Sequence, residues 1–208
     1  MTGSQQTPRP PMSTPPASGA FIDPPPRAPL LLRLATWLAE RIAGKPLLPA
    51  RILAWYPRAA LGAGLLEATI ANCEGRIDRR MLKLVRLAAS FATACPFCAD
   101  MNAHQHREAG VTDEELEGLR TLLEPEAIAS LSALERVAVR YARLTSQTPL
   151  RFPADFVAEL QGHFGEREIV VLATTAAQVN YWARLIQSLG VPPHLGQSHP
   201  KVPAINSP

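Results

Sequence analysis

Apolar residues recur at three- and four-residue steps through most of the chain. Leu30, Leu31, Leu34, Leu38 and Ile42 form the first such run, and Gly44 stops it. Pro57 precedes a second run over 59–73, which ends before Gly75. Asp78 has the chemistry of an N-cap for a third helix carrying Met81, Leu82, Val85, Leu87 and Ala88 and continuing to about 94. The next helix is predicted from Cys95 or Pro96 to 109, with Gly110 as its breaker. Thr112 with Glu115, and Ser132 with Glu135, have capping-box spacing. The first opens a short helix and the second a helix to about 144. Two further helices are predicted at 153–163 and 166–189, the last closed by Gly190 and Pro192-Pro193. No pair of alternating runs flanks a hairpin turn, so the expected core is all-α.

The two ends break this pattern. Of 21 prolines, nine lie in 1–29 and five in 192–208, and both segments lack apolar periodicity. They are expected to be flexible tails, because they bury too little to offset chain entropy. One domain is therefore predicted over 30–191, within a chain of 208 residues. The formal charge of +3 is spread without basic clusters, which gives no footprint for nucleic acid. No apolar run reaches the length of a membrane span, and no secretory signal is visible. With only three cysteines, two of them close together, a cytoplasmic redox or metal role fits better than a secreted disulfide framework.

The chemistry concentrates in Cys95-Pro96-Phe97-Cys98 at a predicted helix start. Three residues is about 300° of helical rotation, so the sulfurs fall on nearly one face and are able to close a short disulfide. Proline suits the first turn, where its missing N–H is no loss. Unpaired N–H groups there favour thiolate over thiol. A thioredoxin-like site would need a strand before the motif, and the preceding run is helical. A zinc site would have to recruit His104 and His106. On one continuous helix His106 lies about 12 Å beyond Cys98, and His104 faces away. A plain pair of buried structural cysteines leaves the proline and the helix start unexplained.

The run from Cys95 to Asn102 (Cys-Pro-Phe-Cys-Ala-Asp-Met-Asn), followed by Ala109-Gly110-Val111, resembles the carboxymuconolactone decarboxylase family, in particular its alkyl hydroperoxidase D-like branch. Leu134 to Ala138 and Asn180-Tyr181-Trp182 extend the likeness over 30–191. The resemblance implies a helical bundle of the alkyl hydroperoxidase D-like type, assembled as a homo-oligomer. It also implies a peroxidatic Cys98, a resolving Cys95, a small peroxide substrate, and an external thiol reductant or adaptor protein, with no cofactor and no metal.

The branch carries a glutamate twelve residues before the first cysteine and a histidine four after the second, as a proton relay. Here those positions are Lys83 and Asn102. Neither is suited to passing protons near neutral pH, although Lys83 could favour a thiolate and Asn102 could donate to the sulfur. His104 and His106 are possible replacements, but their neighbours Gln105, Arg107 and Glu108 read as solvated surface. Cys73 is expected to be a small buried hydrophobe. Trp37, Trp55, Tyr56, Tyr181 and Trp182 are expected in the core or at subunit contacts. Two other functions stay open: a non-catalytic helical assembly or binding protein that has lost the relay, and decarboxylation of a lactone acid.

Overall fold

The structure is a computed structural model that describes residues 16–193. The elements in chain order are α1 (Leu30–Ala43), α2 (Leu48–Leu53), α3 (Pro57–Thr69), α4 (Arg79–Ala92), α5 (Pro96–Ala103), α6 (Asp113–Arg120), α7 (Ala133–Thr145), α8 (Ala154–His163) and α9 (Glu166–Ser188). Short 3-10 turns stand at Arg107–Ala109 and Pro125–Ala127. No strand occurs among the described residues; there is one isolated bridge between Glu74 and Ile77. The fold is all-α, as the periodicity predicts.

Helix α4 is the centre. Asp78 caps it by accepting from the Met81 N–H at 2.8 Å, and its apolar residues cover more than one face. Leu84, Val85, Leu87, Ala88 and Ala89 are wholly buried against α7 and α9. Both predicted capping boxes form, and their glutamates do a second job. Glu115 and Glu135 each reach the Arg80 guanidinium at 2.6 Å. One arginine in the first turn of α4 thus ties down the first turns of α6 and α7. Burial pushes the Glu115 carboxyl up, but the Arg80 contact and the Thr112 N–H more than offset this and hold it at about 2. Glu168 plays the same part at the start of α9. Hydrogen bonds from the Arg76 side chain and backbone, and from Gly165 N–H, also lower it to about 2.

Several expectations need correction. The helix predicted from 95 to 109 ends at Ala103. His104 turns extended and Gln105 takes a left-handed φ of 54°. The short helix α2 was hidden by two prolines, Pro46 and Pro49, the second of which sits at its first turn. Residues 16–29 do not form a free tail. Ala20 is buried, the Phe21 N–H donates to Leu189 O at 2.9 Å, and Trp55 Nε1 donates to Asp23 O at 2.8 Å. Composition hid this strap, because one small apolar residue and backbone hydrogen bonds leave no periodic signal. Gly190 completes the crossing: it has a φ of 62°, and a Cβ there would lie 2.4 Å from the Phe21 ring. The remaining parts of the expected tails, 1–15 and 194–208, lie outside the described residues. Cys73 is exposed rather than buried. Of the aromatics expected in the core or at subunit contacts, Trp182 packs on the core, and Trp37, Trp55, Tyr56 and Tyr181 are exposed on the chain surface.

Candidate active site

Cys95 is the N-cap of α5, and its sulfur accepts from the Cys98 N–H at 3.2 Å. Ala94 before it holds a left-handed φ of 48°, which turns the chain sharply out of α4. Cys95 and Cys98 are joined as a disulfide with a Cα separation of 5.3 Å. Both are nearly inaccessible, at 1% and 3% exposure. They sit in an apolar cluster with Ala20 of the strap, Ile52 of α2, Phe97, and Ala183 and Ile186 of α9. Leu48, Met101 and Trp182 close its margin. The strap and α2 therefore form the cover of the sulfur pair.

The residues expected as relay or tuning groups are not aimed at the sulfurs. Lys83 donates to the carbonyls of Asn102 at 3.0 Å and His104 at 2.9 Å, and so caps the C-terminal end of α5. Burial, and then the neighbouring Arg86, lower its pKa. Asn102 does not donate to sulfur. Its amide N–H groups go to Ser90 Oγ at 2.8 Å and to Cys98 O at 3.0 Å. His104 is exposed. His106 pairs with Ala103 O at 2.9 Å and Asp113 Oδ1 at 2.8 Å, in the turn that follows α5. The end of α5 at Ala103 removes the continuous-helix geometry on which the zinc comparison rested. Among the described residues no group of His, Cys, Asp or Glu is placed to hold a metal.

A different carboxylate joins the Asn102 network. Glu67 of α3 accepts from Arg86 at 2.9 Å, from Gln178 at 2.8 Å and from Trp182 at 3.0 Å. Arg86 also donates to Asn102 Oδ1 at 3.2 Å. The chain of contacts thus runs from Glu67 through Arg86 to the turn that carries Cys98. Trp182, which donates to Glu67, itself packs on the sulfur cluster. No local spacing announces this residue, because it arrives from another helix. A second acid, Asp100, is buried on α5 and ion-paired with Lys45 at 2.9 Å.

A model of the carboxymuconolactone decarboxylase family matches residues 59–144. That span runs from α3 to the end of α7 and so contains Glu67, both cysteines and the Arg80 cluster. The uncharacterized protein YdfG of Bacillus subtilis (strain 168) is 25% identical over 122 residues, covering 56% of this chain and 78% of its own. Among solved structures, an uncharacterized peroxidase-related protein from Silicibacter sp. TM1040 superposes with a TM-score of 0.70 at 16% identity. That match covers 88% of this chain and 95% of the other. The debrominase Bmp8, in complex with 2,3,4-tribromopyrrole, superposes with a TM-score of 0.71 at 17% identity, over 88% of this chain and 94% of its own. At these identities the structural matches establish a shared fold.

Proposed function

We propose, from the match of residues 59–144 to the carboxymuconolactone decarboxylase family and the fold shared with an alkylhydroperoxidase AhpD core structure, that the chain is a thiol-based oxidoreductase that reduces small peroxides. The observation that carries this reading is the Cys95–Cys98 disulfide at the start of α5. Two sulfurs set at bonding distance by one helical turn are able to cycle between dithiol and disulfide without moving the backbone far.

The cycle is balanced in three steps. The Cys98 thiolate attacks the peroxide, the O–O bond breaks, and the departing oxygen takes back the proton released when the thiol ionised, so that an alcohol (or water) leaves and a sulfenic acid stands on Cys98. The Cys95 thiol displaces water from that sulfenate and forms the disulfide. Two external thiols then return two electrons and two protons. The order of the two cysteines rests on the family resemblance. Glu67 offers the carboxylate that Lys83 and Asn102 do not, and it is linked to the Cys98 turn through Arg86 and Asn102. Burial of both sulfurs means that the strap or α2 opens before either reagent enters.

Reduced protein treated with one equivalent of peroxide should lose two thiols per chain. Cys98→Ser should lose none, and Cys95→Ser should accumulate a trappable sulfenate. Glu67→Gln should slow thiol loss by about 10²-fold and shift its pH profile. If wild-type protein loses no thiols, the chain is a helical binding or assembly protein rather than a peroxidase.

A further inference from the structure

Against the turn that leads into Cys95 lies an open groove of about 650 Å³. Its walls are the 92–94 turn, the loop 146–149, Arg151, and Arg184 and Gln187 of α9. That volume falls in the usual range for small-molecule sites. The groove is polar and contains no acidic side chain among its lining residues. Two arginines face this common space, and neither forms an ion pair among the described residues. Arg184 donates from Nη2 to Thr148 Oγ1 at 2.9 Å, which fixes one edge of the guanidinium and leaves the rest of its fork unmatched. Gln187 donates to Thr93 O at 3.3 Å and joins the last turn of α9 to the residue two before Cys95. Arg51, Arg76, Arg80, Arg107 and Arg120, by contrast, each meet a carboxylate.

Two unmatched guanidinium groups beside a polar wall suit a planar or tetrahedral oxyanion, which they would grip through paired N–H donors. We propose that this groove binds the carboxylate or phosphate end of a small anionic molecule. The consequence for the thiol chemistry rests on the reading given above: the groove, whose lining reaches the residue before Cys95, would dock the anionic end of a thiol reductant, whose sulfur reaches the disulfide once its cover opens.

The test uses the full, oxidised protein and titrates glutarate and inorganic phosphate separately, by calorimetry or amide chemical shifts. At least one anion should bind, with shifts confined to 92–94, 146–151 and 184–187, and the stronger of the two identifies the headgroup. Arg151→Gln should weaken binding about tenfold. Arg151 makes no hydrogen bond or ion pair among the described residues, so this variant leaves the fold intact even if Arg184→Gln does not. Absence of binding by both anions, or binding that Arg151→Gln leaves unchanged, overturns the proposal. A parallel measurement compares disulfide reduction by 3-mercaptopropionate and by 2-mercaptoethanol. The charged thiol should lose its relative advantage in Arg151→Gln. If anions bind but neither thiol reduces the disulfide, the groove stands and the redox reading falls.

Discussion

Helices α1 and α4 are both 14 residues long and both carry apolar residues at helical spacing, yet they meet opposite fates. Helix α4 buries eight of its residues among α5, α6, α7 and α9. Helix α1 buries none: Leu30, Leu31, Leu34, Leu38 and Ile42 are all at least half exposed. Leu61 and Leu65 on α3 are exposed as well. The difference teaches that periodicity marks which face of a helix is apolar, but not what that face meets. Exposed apolar stripes are what protein–protein contact sites use.

The comparison is broken most forcefully at its buried side. Leu84→Ala, at a wholly buried site, should cost about 2–5 kcal/mol in denaturant unfolding. A change within experimental error would mean that α4 is not the centre of the core. The strap comes next. Removing residues 1–23 takes away Ala20, the Phe21 hydrogen bond and the Asp23 carbonyl that Trp55 uses. A loss of about 1–2 kcal/mol follows from two hydrogen bonds and a small buried side chain. The disulfide should also be reduced faster by a small thiol. Unchanged stability and unchanged reduction together would show that 16–29 is a tail after all.

Acid should separate the two regions more gently. Glu115 is lowered in the folded state from 4.5 to about 2, so its contribution is complete above pH 4.5. It is lost as pH falls through that window, since the unfolded chain then binds the proton first. Glu115→Gln should lower stability at neutral pH and flatten the acid limb. A limb as steep as in the wild type would assign acid sensitivity elsewhere, with Glu168 next in line. The smallest effect is expected at the exposed stripe. Leu34→Ser should change the stability of the isolated chain by no more than about 0.5 kcal/mol. It should nevertheless shift the size distribution in sedimentation. No shift there would remove α1 as an assembly face.

What the sequence makes legible follows the same division. Local signals were sufficient for helix starts and stops. Asp78, Thr112 and Ser132 cap as their spacing predicts, and Gly44, Gly110 and Gly190 take left-handed φ values at helix ends. The Cys95–Cys98 pair is local too, and one helical turn brings it together. Features made by distant residues were not legible. Lys83 secures the carbonyls at the end of α5 from another helix, so the length of α5 is set by a contact nineteen residues away in sequence. Glu67 reaches the Asn102 network by the same kind of contact, through Arg86. The strap joins the start of the described chain to the end of α9, and the strap itself carries no apolar pattern.

That last contact has a kinetic meaning. The hydrogen bond from Phe21 to Leu189 closes a loop containing nearly the whole described chain. Closing so long a loop is entropically slow and must await the helices between its ends. The strap is therefore the last part of the molecule to dock and the first to release. Amide hydrogen exchange at Phe21 and through α2 should run ahead of exchange in α4, in a partial opening that leaves the central helices folded. Such an opening bares the sulfurs at a small fraction of the free energy of unfolding. Thiol chemistry would then keep time with a local fluctuation rather than with the stability of the protein as a whole.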